Sequence, residues 1–238
     1  MKEYLLAFID LLFERKCLVC GKTLTIYERH LCCDCLEDIP LTYFWTWKDN
    51  PAEKKLWGRS YIERIISLFL FSHENNYPNI IYSLKYKGNR KIGRHFGAIL
   101  GSYIADQMQD IDYIVPVPLH WKKHRKRGYN QSYEIAKGIN SVLKKEIATD
   151  IIRRRRNTTT QTKMSKDQKW DNLAGAFELK NSKRTKSLKS TLSIENSHIH
   201  ILLVDDVLTT GATIIACCEE LKKLKNLKVS VVTLAYVE

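Results

Sequence analysis

The chain has 238 residues, 44% of them hydrophobic, which allows a sizeable core and is typical of a folded protein. Its formal net charge of +13 favours polyanionic partners such as nucleic acid, nucleotides or acidic lipid. No apolar run approaches the ~20 residues of a transmembrane helix, so we expect no membrane-spanning segment and a cytoplasmic location. The 7 cysteines, an odd number in a chain without a signal peptide, argue against a disulfide framework.

The N-terminal stretch, residues 1–17, has the apolar content of a signal peptide, but Glu3, Asp10 and Glu14 interrupt it. Its apolar side chains fall on one helical face, formed by Tyr4, Leu5, Phe8, Ile9 and Leu12. We therefore expect an amphipathic helix that docks on its own protein and begins a first unit, residues 1–50.

Two CxxC turns follow this helix, and they contain Cys17, Cys20, Cys32 and Cys35. Such turns bring four thiolates to one point, as tetrahedral zinc requires, and the short segment has little apolar material to fold without metal. Cys33 or His30 could replace Cys32 as the third ligand. A thioredoxin-like redox pair would need a βαβ context that is absent here, so the spacing predicts one structural Zn²⁺.

Residues 46–60 are polar, contain a proline and a glycine, and predict a linker to a second domain at 60–238. Alternating strands and helices in that domain predict a mostly parallel α/β sheet. The predicted strands are 65–71, 113–119, 201–204 and 229–237, and the predicted helices are 79–86, 92–103, a segment starting at Asn130, and 214–224. Residues 153–172 predict a mobile basic loop, and 180–198 a polar insertion.

The segment ILLVDDVLTTGAT, residues 201–213, concentrates polar groups after a buried strand. Ligands of open parallel sheets bind beyond the carboxyl ends of the strands, where Asp205 and Asp206 are predicted to lie. The turn that follows leads into a helix N-terminus, whose free N–H groups attract a phosphate. Threonine hydroxyls add donors, and Gly211 allows close backbone approach. This pattern predicts an anion at 209–213 and a polyol or metal-bridged hydroxyls at 205–206, and a ribose 5-phosphate offers both.

At these residues the chain resembles the phosphoribosyltransferase family, whose signature is an apolar strand, two acids and Thr-Thr-Gly-x-Thr. PVPLHWKKHRKRGYNQSYEIA (116–136), LKYKG (84–88) and the cysteine module together resemble the ComF/ComFC competence proteins over nearly the entire chain. The resemblance implies a mostly parallel α/β fold of the type I phosphoribosyltransferase kind with a small N-terminal zinc-finger module.

The resemblance also implies roles for individual residues. Asp205 and Asp206 would meet the ribose hydroxyls, and the 5-phosphate would be held by Thr209, Thr210, Gly211, Ala212 and Thr213. The 116–131 loop would face a Mg²⁺-bound diphosphate through Arg127, Asn130 and Gln131. The stretch around Gln161 and Asn172 matches the flexible hood of these proteins. Lys169 stands there where an arginine is expected, and a lysine cannot make the same bidentate contact.

Other phosphate-binding motifs fit less well. GNRKIG (88–93) is similar to the start of a Walker A loop, but Arg94 and His95 replace its Lys-Ser/Thr pair. There is no GxGxxG motif, and a Walker B strand without its partner loop carries little weight.

The basic run at 122–127 predicts contact with nucleic-acid phosphates, which we assign to Lys122, Lys123, Arg125 and Lys126. Arg153–Arg156 reinforce it. Trp121, Tyr129 and Trp170 could stack on bases, although each of them taken singly is more typical of a core or hinge position.

Two functions follow from these patterns. One is a ComF-type competence protein that binds a phosphoribosyl diphosphate-like ligand and single-stranded DNA during DNA uptake, in contact with other competence proteins. The alternative is a metabolic phosphoribosyltransferase that transfers phosphoribosyl to a nitrogenous acceptor and releases pyrophosphate. The sequence shows no recognisable acceptor pocket and no assignable acid/base pair.

Overall fold

A computed structural model describes residues 14–72, 74–156, 175–193 and 198–238 of the chain. Its centre is a five-stranded sheet in the order β1-β7-β6-β2-β3, in which all neighbouring strands are parallel. The strands of this sheet are β1 (Ile65–Leu70), β2 (Tyr113–Pro116), β3 (Glu146–Ile147), β6 (Ile199–Leu208) and β7 (Leu227–Tyr236). The predicted parallel α/β sheet is thereby confirmed.

Helices and a small antiparallel ribbon cover this sheet. The helices are α1 (Cys33–Glu37), α2 (Pro51–Leu56), α3 (Pro78–Tyr86), α4 (Arg90–Ile104), α5 (Trp121–Arg127), α6 (Gln131–Leu143), α7 (Lys183–Leu192) and α8 (Ala212–Leu221). The ribbon pairs β4 (Ile152–Arg154) with β5 (Phe177–Leu179). No helix within the described ranges is both long and apolar enough to cross a bilayer.

The strand order creates a crevice between β2 and β6. From β2 the chain passes through α6 to β3 on one side, whereas from β6 it passes through α8 to β7 on the other. Because such crossovers are right-handed, helices that lead in opposite directions lie on opposite faces of the sheet, and the crevice opens between them. The carboxyl ends of β2 and β6 are therefore the expected ligand-binding edge.

Strand β6 extends four residues further than the predicted 201–204 strand. It pairs with β7 as far as Leu208, but with β2 only as far as Val204, opposite Pro116. Proline supplies no N–H for a ladder, so β2 ends there, shorter than the predicted 113–119 strand. Asp205 and Asp206 consequently lie within a strand and beside the gap that β2 leaves.

The predicted linker at 46–60 is wrong, because these residues contain α2. Asn50 caps this helix by accepting from the N–H groups of Ala52 and Glu53, and Glu53 accepts from Asn50 in return. The Asn50 amide also donates to the carbonyl of Ile65 in β1 at 3.0 Å. Composition alone predicts a linker, whereas the capping box and the contacts with β1 hold the segment in a defined helix.

Two other predicted loops also contain regular structure. The 180–198 insertion includes α7, which buries Leu188 and Leu192 and is tied to Asp150 through Arg184 at 2.7 Å. The basic loop at 153–172 begins within strand β4. Residues 1–13 of the predicted N-terminal helix and residues 157–172 of that predicted loop, with Gln161, Lys169, Trp170 and Asn172, lie outside the described residues.

Helices α4 and α6 pack at glycine contacts. A Cβ added at Gly138 of α6 would lie 2.2 Å from the carbonyl oxygen of Arg94 in α4. A Cβ at Gly97 would lie 2.3 Å from the carbonyl oxygen of Ile135. Both contacts involve backbone, which cannot move aside as a flexible side chain can. The glycines therefore set the distance between the two helices.

We predict that Gly138→Ala lowers the free energy of unfolding by roughly 1–3 kcal/mol, because the new methyl group forces the helices apart. Helix propensity alone predicts the opposite sign, a gain of about 1 kcal/mol. Ser102→Ala, on the exposed face of α4, is the control and should stay within about 0.5 kcal/mol. Urea unfolding gives the free energy of unfolding of wild type and of both variants. A Gly138→Ala variant that is more stable than wild type contradicts the close packing of α4 and α6.

Candidate functional site

A cavity of about 960 Å³ lies at the carboxyl edge of the sheet, beside the ends of β2 and β6. Its walls bring together most of the predicted ligand-binding residues. These are Asp205, Asp206, Thr209, Thr210, Thr213, Arg127, Asn130 and Gln131. Residues separated by more than 80 positions in the chain thus meet in one space, which can accommodate a nucleotide-sized ligand.

Different elements hold the two acids. The Ser132 hydroxyl, at the start of α6, donates to Asp205 Oδ1 at 3.0 Å, and the backbone N–H of Asp206 donates to the same oxygen at 2.9 Å. The Lys85 ammonium, near the end of α3, lies 2.9 Å from Asp206 Oδ1. The Asp206 side chain is 13% exposed, so this ion pair is largely shielded from water.

The surroundings of the acid pair change the pKa values of Asp205 and of Lys85. Desolvation and the neighbouring Asp206 charge raise the pKa of Asp205 to about 7, although Lys85 and Ser132 oppose the shift. Burial disfavours the charge of Lys85, but the Asp206 carboxylate outweighs it and raises the pKa of the ammonium. Asp205 therefore gains or loses a proton near neutral pH, whereas Asp206 lies beside the Lys85 ammonium.

The turn after β6 has the features of an anion-binding loop. Gly211 adopts a left-handed conformation with φ +78°, and a Cβ there would lie 2.2 Å from a methyl group of Leu56 in α2. Helix α8 begins at Ala212 with Gly211 as its N-cap, which supplies no side-chain acceptor, and the Ala212 N–H donates to Thr210 Oγ1 at a long 3.5 Å. Free N–H groups at a helix N-terminus can bind phosphate. Thr209, Thr210 and Thr213 line the adjoining cavity wall.

The predicted 116–131 loop contains a helix, α5, because His120 caps its start and left-handed Gly128 ends it. Arg127 donates to Gln131 Oε1 at 2.9 Å, so these two predicted contacts form one unit at the cavity wall. The Asn130 amide donates to the carbonyl of Val117 at 2.9 Å and accepts from the N–H of Ser132. Asn130 thus holds the turn together in addition to lining the cavity.

The basic run at 122–127 does not form one continuous surface. Lys123 and Arg127, one helical turn apart, line the cavity of the acid pair. Burial and the nearby charges of Arg154 and Arg127 lower the pKa of Lys123 to about 8. Arg125 faces away from this cavity, towards a second groove. The helical period of α5 therefore places residues that are adjacent in sequence at two different surfaces, the cavity and the second groove.

The second groove has a volume of about 720 Å³ and is strongly basic. Its cations are Arg125, Arg153, Arg154, Arg155 and Lys180, and its only carboxylate among the described residues is Glu178. Trp121, 60% exposed, lies at its wall. Tyr129 is not available for stacking, because it is buried and its hydroxyl donates to the carbonyl of Leu84. The aromatic and cationic groups around Trp121 are suited to a flexible polyanion.

Sequence reasoning did not assign four cations to the first cavity, namely Lys55, Arg59, Lys85 and Arg154. Lys85 lies within the LKYKG stretch, but nothing local indicates that α3 reaches β6. Arg154 lines both the cavity and the groove, and burial lowers the pKa of its guanidinium. In the sequence it is one of four consecutive arginines, so only the tertiary structure distinguishes it from its neighbours.

The cysteine module places four sulfur atoms together, those of Cys17, Cys20, Cys32 and Cys35, all within 4.8 Å of one another. Tetrahedral zinc with Zn–S bonds of about 2.3 Å requires sulfurs about 3.8 Å apart. The Sγ atoms of Cys20 and Cys32 are 3.7 Å apart, which fits that geometry. Cys33 lies outside this group, and His30 packs against the ring of His95 at 5.5 Å. The cluster could therefore hold a structural zinc ion.

A serine–histidine–aspartate arrangement occurs at the opposite edge of the sheet. His200 Nε2 lies 2.9 Å from Ser230 Oγ, and Nδ1 lies 2.9 Å from Asp110 Oδ2. These distances match a hydrolase triad. However, Ser230 is 0% exposed within β7, so no substrate can reach its hydroxyl. The arrangement satisfies buried polar groups and has no nucleophilic role.

Comparison with known proteins agrees with this geometry. Residues 127–238 match the phosphoribosyl transferase domain family. Competence protein F of Haemophilus influenzae is 28% identical over 210 residues, which are 86% of this chain and 77% of that protein. DNA utilization protein YhgH of Escherichia coli is 33% identical over 103 residues, which are 43% of this chain and 40% of that protein. The chain therefore matches about two fifths of the length of YhgH.

The parallel sheet and its edge cavity define a protein with a phosphoribosyltransferase-like domain, preceded by a four-cysteine module that could hold zinc. The match to this domain family and the similarity to competence protein F and YhgH support a ComF-type protein.

A first prediction concerns Asp205. Because its folded pKa of about 7 lies above the unfolded value of about 3.9, its ionisation destabilises the unliganded protein as pH rises between these values. Asp205→Asn removes that cost, so its gain in melting temperature over wild type should be larger at pH 8 than at pH 5. Ser132→Ala removes one hydrogen bond to the carboxylate and is the comparison variant. Its melting temperature should not exceed that of wild type at either pH. An equal gain for Asp205→Asn at both pH values contradicts the raised pKa.

A second prediction concerns the metal. Purified protein should contain about one zinc per chain by elemental analysis, and Cys32→Ser should lose it because three thiolates bind zinc far more weakly. Cys33→Ser and His30→Ala should retain full zinc, since neither side chain belongs to the sulfur cluster. Full zinc in Cys32→Ser combined with loss in Cys33→Ser shows that the ligand assignment is wrong.

Proposed function

We propose that the protein binds the ribose 5-phosphate unit of phosphoribosyl diphosphate, or of a nucleotide-like ligand, in the 960 Å³ cavity. One observation carries the proposal: the acid pair and the threonines of the turn that leads into α8 share this cavity at the crevice between β2 and β6. In this proposal Asp205 and Asp206 accept hydrogen bonds from the ribose hydroxyls. The 5-phosphate contacts the backbone and hydroxyls of residues 209–213. Lys123 and Arg127 supply positive charge for a further phosphate.

Mg²⁺ fits the donor set, because carboxylate oxygens are hard ligands. Lys85 already balances the charge of Asp206, so the acid pair alone offers little net negative charge to a free cation. The acids would hold the ion together with the phosphates of the ligand, and the ion would neutralise the charge of a diphosphate. Lys85 holds the Asp206 carboxylate in place through its ion pair.

We further propose that single-stranded DNA lies along the second groove, with its phosphates at Arg125, Arg155 and Lys180. Trp121 provides a ring on which a base can stack. Lys122 and Lys126, on the outer surface of α5, extend the positive field beyond the groove. Because Arg154 lines both spaces, a strand in the groove can place its end in the cavity.

The names of the relatives support a role in DNA uptake and transformation, since one is a competence protein and the other a DNA utilization protein. A cytoplasmic location and contact with other competence proteins are part of this proposal. A zinc-thiolate cluster needs reduced cysteines, which the cytoplasm provides.

A metabolic phosphoribosyltransferase is the second candidate, and the match of residues 127–238 to that domain family favours it. Such an enzyme positions a nitrogen nucleophile at the anomeric carbon and stabilises the departing pyrophosphate by electrostatics. The cavity contains the cations for the donor. An acceptor would have to enter through the part of the cavity that the acids and the 209–213 loop do not occupy.

One sample titrated with Mg²⁺–phosphoribosyl diphosphate and with single-stranded DNA tests both functions. We predict donor binding that is lost in the double variant Asp205→Asn/Asp206→Asn.

If five phosphates are neutralised, log affinity for DNA should fall with log salt at a slope of about −3.5. A fourfold rise in salt then weakens DNA binding about a hundredfold. The triple variant Arg125→Ala/Arg155→Ala/Lys180→Ala should reduce the slope by about 2.

Lys222→Ala/Lys223→Ala/Lys225→Ala provides the matched control, because it removes the same charge from the end of α8 at the opposite edge of the sheet. Its slope should remain close to that of wild type. A slope lowered equally by both triple variants means that net charge, and not the groove, binds DNA. Negligible DNA affinity at physiological salt, with pyrophosphate release to a small nitrogenous acceptor, favours the metabolic enzyme.

A further inference from the structure

The second groove follows the β4–β5 ribbon and therefore has two distinct ends. At the first end Arg154, which is opposite Phe177 in the register of the ribbon, also lines the cavity of the acid pair. At the other end Lys180 follows the last residue of β5, and its backbone N–H donates to the carbonyl of Ile151 at 2.8 Å. The groove thus leads away from the cavity and towards α7, the next helix in the chain.

A row of lysines continues from this end of the groove along α7. Lysine occupies every third position from the groove onwards, and we call these residues the lysine row: Lys180, Lys183, Lys186 and Lys189. Side chains three residues apart are neighbours on a helix surface, so the three helical lysines form an inclined row. All three are exposed, whereas another face of α7 buries Leu188 and Leu192.

Contacts with the groove fix the position of α7. Arg184 lies 2.7 Å from Asp150 and 2.6 Å from Glu146. The Lys180 ammonium donates to the carbonyl of Thr149, a residue of the groove wall, at 3.0 Å. The lysine row and the groove are therefore parts of one connected surface.

The protein does not neutralise the charge of the lysine row. The segment 180–193 contains no Asp or Glu, and no carboxylate of the described residues forms an ion pair with the three helical lysines. Like charges on one side of a helix repel each other, and cations near a helix N-terminus oppose the helix dipole. The row therefore lowers the stability of α7, and folding does not account for it.

Helix α8 provides a contrast within the same protein. Its lysines have carboxylates three residues earlier, because Lys222 pairs with Glu219 at 2.7 Å and Lys223 pairs with Glu220 at 2.6 Å. Surface lysines of this chain are thus neutralised on one helix and left unneutralised on the helix beside the groove. A strongly basic surface of this kind is suited to a polyanion.

We propose that the lysine row continues the DNA-binding groove, so that a single strand with its end at Arg154 leaves the groove at Lys180 and passes along α7. This inference rests on the proposed DNA groove and assigns the path of the strand beyond it. Phosphates repeat along a strand whatever its bases, and a row of ammonium groups suits them. A protein partner would need an apolar interface core, and a membrane would need exposed apolar side chains, whereas the leucines of α7 are buried.

The test measures the salt dependence of binding with two lengths of single-stranded DNA. A strand of about five nucleotides occupies the groove alone, whereas one of about sixteen also reaches α7. Each phosphate contact adds about 0.7 to the slope of log affinity against log salt. Lys183→Gln/Lys186→Gln/Lys189→Gln should therefore reduce the long-strand slope by about 2 and leave the short-strand slope unchanged.

Two further variants serve as controls. Lys222→Gln/Lys223→Gln/Lys225→Gln removes the same charge from the end of α8 and should leave both slopes unchanged. Arg125→Ala/Arg155→Ala/Lys180→Ala changes the groove and should reduce both slopes. Because glutamine has a helix propensity similar to that of lysine and removes the repulsion, the α7 variant should melt no lower than wild type.

Four outcomes overturn the inference. If the groove variant reduces the long-strand slope and the α7 variant does not, the groove binds DNA but the strand does not pass along α7. If the α7 and α8 variants reduce the slopes equally, net charge is responsible. If wild type binds neither strand, the proposed groove fails and the lysine row fails with it. A lower melting temperature of the α7 variant shows that the lysines stabilise the fold, which contradicts an unneutralised row.

Discussion

Adjacent carboxylates within a largely buried strand, beside the gap that β2 leaves, impose the constraint on which the site depends. Partial burial makes their charge costly unless partners surround them. Ser132 and a backbone N–H meet Asp205, and Lys85 meets Asp206. These partners come from α6 and α3, so both helices must dock on the sheet edge before the acids are stabilised. Folding of the edge and assembly of the site are therefore one process.

A second contact joins the N-terminal part of the chain to the same edge. Leu56 of α2 packs so closely on Gly211 that no other residue fits at the turn without displacement. Helix α2 is itself held to β1 through Asn50 and Glu53, and Glu53 also pairs with Arg64 at 2.9 Å. The segment between the cysteine module and the sheet thus buttresses the loop proposed to hold phosphate. A flexible linker could not provide that support.

Charge is distributed around α5 in a way that suits a repeating anionic ligand. One side of the helix faces the acid pair, and the other faces a groove with five cations. Arg154, beneath the helix, belongs to both spaces. A nucleic acid repeats the units for which these surfaces are suited, namely phosphate, sugar and base. The phosphoribosyl site and the DNA groove of the proposal are therefore compatible in a single protein.

The sequence by itself determined the parallel sheet, the cysteine cluster and most of the cavity. Periodicity encodes which face of an element is buried, and short motifs such as CxxC and DDxxTTGxT bring their groups together within a few residues. Tertiary structure decided the rest. Lys85 reaches Asp206 across 121 positions of sequence, and the helical turn of α5 separates Lys123 from Arg125. The well-defined position of α2 also depends on its contacts with β1 and Gly211, which are distant in sequence. Local sequence records the preferences of a segment, whereas charge pairing and close packing depend on which remote segments meet it at the sheet edge.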